Sequence, residues 1–190
     1  MQFEPGKIIS TKLNKRNLLK YLGVGALAGG SGLFVKQKAQ AQGHTSGSPY
    51  VYMHGTSVQV EYTDRIASIY RRGFYTTIEG KPNTFNWFHF AIPTLAITGR
   101  EKVKGGFVYF STGSSNVAVK NLHLFVFTQR VAARDNLNLH GDNPQAYVPV
   151  NPPYPLYYGP VGITIGVNFG PESPRYINFI GAAGVFENLT

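Results

Sequence analysis

Cysteine is absent from the 190 residues. That one fact excludes a disulfide framework, a thiolate metal site and a cysteine nucleophile. Charge is scarce as well, with 14% Asp, Glu, Lys and Arg against roughly 25% in an average soluble domain. No apolar run approaches the roughly 20 residues that a spanning helix requires. The longest candidate, Tyr21 to Val35, is interrupted by Gly23, Gly25, Gly29, Gly30 and Gly32. There is no Gly-x-Ser-x-Gly elbow for a serine nucleophile. No His-x-His or helical His-x-x-x-His pair marks a metal site, and no internal repeat occurs. What is plentiful is aromatic and small: 12 Tyr, 13 Phe, one Trp and 22 Gly. Many large apolar side chains with little charge exclude intrinsic disorder.

The formal charge of +9 is unevenly spread. Residues 1–42 carry seven Lys and Arg against Glu4 alone, a balance of +6, whereas the remaining 148 carry 11 against eight acids, a balance of +3. The N-terminus reads as an export signal: a basic region ending in Lys15-Arg16, an uncharged stretch, then Ala39-Gln40-Ala41 as a small-x-small cleavage pattern. Asn14-Lys15-Arg16-Asn17-Leu18-Leu19-Lys20 resembles a twin-arginine signal with Lys in place of the first Arg. The expectation is cleavage near Ala41, a polar linker over 42–49, and one periplasmic or secreted domain over 50–190 with no stable membrane span. A balance of +3 without a dense basic stripe predicts no nucleic-acid partner.

Beyond the linker, β-branched and aromatic runs alternate with Gly, Pro, Asn and Ser, the pattern of short strands. Strands are expected at Tyr50–His54, Ser57–Tyr62, Gly73–Glu79, Asn86–Ile92, Gly106–Ser111, Asn116–Thr128, Gly162–Phe169 and Arg175–Phe186. Two-residue alternation puts Ile163, Ile165, Val167 and Phe169 on one face, and Leu122, Leu124 and Val126 on another. About eight such strands predict an all-β, two-sheet sandwich or jelly-roll-like domain. The span from Gln129 to Pro160 reads instead as a long loop, because its prolines remove ladder donors.

Three strings carry a resemblance: Met53-His54-Gly55-Thr56-Ser57-Val58-Gln59-Val60-Glu61, Asn86-Trp87-Phe88-His89-Phe90-Ala91-Ile92-Pro93-Thr94 and Gly162-Ile163-Thr164-Ile165-Gly166-Val167-Asn168-Phe169. They resemble a family of small exported bacterial proteins of unknown function. The resemblance implies a β-rich fold and no catalytic residues.

Candidate sites follow from residue chemistry. Aromatic side chains offer rigid contact area with few rotors to freeze, which singles out Trp87 and the Pro-flanked Tyr154, Tyr157 and Tyr158 as ligand-binding residues. For acid–base work or metal ligation the candidates are His54, His89 and His123, with Glu61 or Asp142 completing a site. Asp135, Asn136, Asn138, Asp142 and Asn143 put oxygen atoms of the type a calcium ion takes into one loop. No cofactor is predicted; a metal ion would rest on imidazole and carboxylate alone. The function expected is non-catalytic binding of a glycan or small organic molecule. The alternatives are an exported cyclase, isomerase or hydrolase that uses converging histidines, and a structural envelope protein that forms homo-oligomers.

Overall fold

A computed structural model describes residues 50–94, 101–142, 144–155 and 159–188. Eleven strands occur among them: β1 (Tyr50–His54), β2 (Gln59–Val60), β3 (Ile66–Arg71), β4 (Thr76–Gly80), β5 (Thr84–Ile92), β6 (Glu101–Thr112), β7 (Val117–Val126), β8 (Gln129–Arg134), β9 (Gln145–Pro155), β10 (Val161–Phe169) and β11 (Tyr176–Asn188). The described helices are two three-residue 3-10 turns, Gly55–Ser57 and Thr63–Arg65. No described helix is long and apolar enough to cross a membrane.

The strands form two antiparallel sheets. The first runs β3-β4-β11-β6-β9, with β1 alongside β11 beyond the end of its pairing with β4. The second runs β2-β5-β10-β7-β8. The alternation expected for 162–169 holds in β10, where Ile163, Ile165, Val167 and Phe169 are buried. Their layer meets Phe88 and Phe90 of β5 and Phe179 of β11. The Phe179 ring lies 5.0 Å from Phe88 and 5.8 Å from Phe90, so aromatic contacts tie the two sheets together. Burying rings of this size stabilises by roughly 1.5–3 kcal/mol each.

Gln129–Pro160 is not one loop. It supplies β8 and β9, the edge strands on one side of the two sheets. Proline is tolerated at an edge, where the missing N–H faces no partner strand. β9 therefore keeps its alternation, with Ala146, Val148 and Val150 inward and Gln145, Tyr147 and Pro149 outward, despite four prolines. Arg134 donates to the Tyr147 carbonyl across the gap between the edges, at 2.8 Å. The Tyr154 hydroxyl donates to Gln129 Oε1, also at 2.8 Å. The third strand absent from the expected set, β3, is an edge as well, and its exposed Arg71 and Tyr70 hide its period.

Candidate functional site

Each sheet turns an outer face to solvent, and the two faces differ in chemistry. On the second sheet, strand register builds rows of side chains across β5, β10 and β7. One row is His89, Thr164 and His123; the next is Trp87, Gly166 and Asn121. The structure thus brings together His89, His123 and Trp87. The Trp87 and His123 rings lie 5.2 Å apart, and Phe85 meets Trp87 edge-on at 5.1 Å. Gly166 makes this packing feasible, since a Cβ there would lie 2.6 Å from Phe85, 2.8 Å from Asn121 Oδ1 and 2.9 Å from Trp87.

Each of these histidines has a carboxylate. His89 Nε2 is 3.0 Å from Glu61 Oε2, and its Nδ1 is 3.1 Å from Thr164 Oγ1. A carboxylate only accepts, so Nε2 carries the hydrogen; in the neutral ring Nδ1 then accepts from the threonine hydroxyl. Glu61 is placed by the backbone around it. Its N–H donates to the Trp87 carbonyl at 3.0 Å, and the buried Asn86 side chain clamps the next residue, Tyr62. The Tyr62 hydroxyl is raised above its ordinary pKa, first because it donates to Glu61 and then because of that carboxylate's charge.

His123, buried on its strand, donates from Nε2 to Asp135 at 2.7 Å, and Asn121 donates to the same oxygen. These hydrogen bonds, His123's first, hold the Asp135 carboxyl below the usual carboxylate range. Asp135 rather than Asp142 is the partner of His123. The two dyads stand one strand to either side of Thr164. No group of three His, Asp or Glu side chains able to hold a metal ion occurs among the described residues. Of the oxygens proposed for calcium, Asp135 Oδ1 accepts from His123 and Asn121, and Asn138 Oδ1 accepts from Lys120 at 2.6 Å; Asn143 lies outside the described residues.

Beside the histidine row a groove of about 290 Å³ opens over Gly162, bordered by His89, Thr164, Phe125 and Phe127. At this end of the β7 outer face Phe125 is half-buried and Phe127 is 60% exposed.

The first sheet's outer face carries an aromatic surface across β1, β11, β6 and β9. Register aligns Tyr52, Ala183, Phe107 and Tyr147 in one row, and Tyr50, Val185, Gly105 and Pro149 in the next. Tyr50 and Tyr52 stack at 6.0 Å, and Phe107 touches Tyr50, Tyr52, Tyr109 and Tyr147 at ring distances of 4.9 to 6.5 Å. Tyr50, Tyr52 and Tyr147 are exposed, while Phe107 is the buried floor. Ala183 and Gly105 keep the middle low, and a Cβ on Gly105 would press within 2.6 Å of the Tyr147 hydroxyl. The Tyr109 hydroxyl is raised above its usual pKa by burial, then by the neighbouring Tyr52 and Tyr50. An ion pair, Lys104 to Glu187 at 3.3 Å, marks the rim.

The remaining expected site residues fall elsewhere. His54 ends β1 in the first sheet, exposed, where its Nδ1 accepts from the Thr56 N–H at 3.2 Å; it does not join His89 and His123. Tyr154 packs partly buried against the core at the β9 edge. Tyr157 and Tyr158 lie outside the described residues. Sequence reasoning missed the tyrosine face, although Tyr-Val-Tyr at 50–52 and Phe-Val-Tyr at 107–109 carry its alternation. It named Asp135 only as a calcium ligand and missed its pairing with His123, which strand pairing alone brings about.

Fold and faces together define a two-sheet antiparallel β-sandwich with an aromatic outer surface on one sheet and an imidazole–carboxylate surface on the other. The chain belongs to a family of unknown function, DUF6623, whose model matches residues 48–185. No curated protein matches it in sequence. Similar solved structures include a family two carbohydrate esterase from Cellvibrio japonicus, at 8% identity and TM-score 0.44, covering 75% of this chain and 35% of that one. A cyclase from Fischerella sp. TAU in complex with 4-(1H-indol-3-yl)butan-2-one is similar at 13% identity and TM-score 0.47, covering 77% and 93%. A family 29 carbohydrate-binding module from Piromyces equi is similar at 10% identity and TM-score 0.35, covering 71% and 90%. The chain spans about a third of the esterase, and identities this low carry nothing about ligand or reaction.

Proposed function

We propose that the protein is an exported, non-catalytic binding domain whose ligand is an uncharged carbohydrate held on the tyrosine face of the first sheet. The observation that supports this reading is the ring-to-ring surface of Tyr50, Tyr52, Phe107, Tyr109 and Tyr147, exposed at its top and free of charge inside its rim. Four strands wide, it extends about 14 Å at the usual strand spacing, long enough to seat more than one sugar ring. Sugar rings present C–H faces that lie flat on aromatic planes, and their hydroxyls match the tyrosine hydroxyls at the edges. A neutral face favours a neutral glycan, because a charged ligand would lose hydration without gaining a counter-charge. Cleavage near Ala41 would leave the domain in the periplasm or outside the cell, where such ligands occur.

The test is a glycan array followed by calorimetry with the glycans retained. Tyr50→Ala, Tyr52→Ala and Tyr147→Ala should each weaken binding by about 1 kcal/mol while the circular dichroism stays that of the parent, since all three rings are exposed. A triple variant that binds glycan as the parent does rules out this face. N-terminal sequencing of protein recovered outside the cytoplasm checks the export step.

A further inference from the structure

On the opposite sheet, we infer a second site, independent of the tyrosine face: the groove over Gly162 takes a small, flat, mostly apolar molecule with one hydrogen-bond donor, which Thr164 Oγ1 accepts. Three observations carry this.

The first is the shape of the floor. In register, Gly162 lies between Ala91 and Phe125, and a Cβ built on it would meet nothing within 4 Å. The glycine is therefore not demanded by packing; it leaves a slot, bare backbone below and open space above. At about 290 Å³ the slot is at the small end of ligand sites, the size of a ring compound and not of a chain.

The second is Phe127. It holds a left-handed backbone, φ 53°, in the turn between β7 and β8. The other non-glycine residues in that region among those described are Asn83 and Asn136, a type that tolerates it; a bulky side chain there is an outlier. Asn or Gly would make this turn at less cost. The ring also stands 60% exposed, so the core does not gain from it. The chain nevertheless fixes it. The Phe127 N–H donates to the Pro160 carbonyl at 3.0 Å, and the ring rests on Gly159, where a Cβ would come within 2.2 Å of it. A strained, exposed and immobilised aromatic at the lip of a groove is spent on something outside the fold.

The third is the end wall. Glu61 fixes the His89 tautomer, and in the neutral ring Nδ1 draws the Thr164 proton. The hydroxyl's donor is thereby used, and its lone pairs are left as an electron-rich acceptor at the groove. A donor on the ligand completes the relay. An apolar molecule of the same shape gains only the walls.

The probe is phenol, with toluene as the matched molecule lacking a donor, titrated into nitrogen-15-labelled protein and followed by NMR. Phenol should shift the amides of Gly162, Thr164 and Phe127 with millimolar affinity, as expected for a ligand of so few atoms. Toluene should bind about tenfold more weakly, the value of one hydrogen bond to a polarised acceptor. Thr164→Val should erase the preference for phenol without abolishing toluene binding. Phe127→Asn should weaken both probes while raising the unfolding midpoint, so that lost binding is not lost folding. The inference is overturned if phenol shifts no groove amide, if the two probes bind equally to the parent, or if Phe127→Asn binds as the parent does.

Discussion

Asn86 and Tyr62 exchange two hydrogen bonds: the Tyr62 N–H donates to Asn86 Oδ1 at 3.0 Å, and Asn86 Nδ2 donates to the Tyr62 carbonyl at 2.7 Å. Asn86 is fully buried, so its amide acts as a piece of β-ladder for a chain that has already left β2. Asn86→Leu would leave the Tyr62 N–H without its partner and the Tyr62 carbonyl with only the longer bond from the Arg65 N–H, at 3.3 Å. An unsatisfied buried group costs about 1–3 kcal/mol, and the variant should lose about that much in urea denaturation. Because Tyr62 follows Glu61, the same variant should also loosen the Glu61–His89 pair, seen as a change in the His89 ring resonances. An unchanged urea midpoint would show that Asn86 does not hold this segment.

Gly166 is the second point where one small residue sets a whole surface. Gly166→Ala would drive a methyl group into Phe85, Asn121 and Trp87, each nearer than 3.0 Å to the new carbon. The rings would have to move, and overpacking of this kind costs about 1–3 kcal/mol. Trp87 is the only tryptophan, so its fluorescence reports the displacement without interference. The expected result is a shifted emission maximum together with a lower unfolding midpoint. An unshifted spectrum would mean that the packing over Gly166 is slack.

How much of this was readable beforehand follows from where each residue draws its constraint. Strands buried on one face declare themselves by period, and β1, β5, β7 and β10 are legible for that reason. β9 was not, because proline speaks against ladders in general and only strand order reveals an edge that tolerates it. The histidines were legible as strand residues, and Glu61 as a partner for His89. That Thr164 sits between His89 and His123, and that Asp135 and not Asp142 serves His123, depends on register across three strands. Register is a tertiary fact. The tyrosine face has the same origin: β1, β6 and β9 each contribute one or two rings, and no local string contains the surface.

Asp135 makes the acid stability of the second sheet testable. Its folded pKa lies below the unfolded value because His123, then Asn121, donates to the carboxylate. The stability it contributes is therefore present above the unfolded pKa, about 3.9, and is lost as pH falls through the lower folded value. Its side chain is 46% exposed, so solvent screening keeps the effect small. Asp135→Asn should flatten part of the fall in urea midpoint below about pH 4. Parallel curves for parent and variant across that range would show that the pair contributes nothing to stability.

Because the tyrosine face and the histidine groove sit on the outer sides of different sheets, with the hydrophobic core between them, substitutions in one should leave the other untouched. Distant sites without shared partners add to within about 0.5 kcal/mol. Tyr52→Ala should weaken glycan binding and leave the phenol titration as in the parent, and Thr164→Val should do the reverse. The double variant should show both losses and no third effect. A phenol affinity that changes when Tyr52 is removed would mean the sandwich transmits strain from sheet to sheet. Phe179 is the residue to examine in that case, since its ring touches both Phe88 and Phe90 of the strand that carries Trp87 and His89. Phe179→Leu should then reduce the coupling, and the same double-mutant comparison would measure by how much.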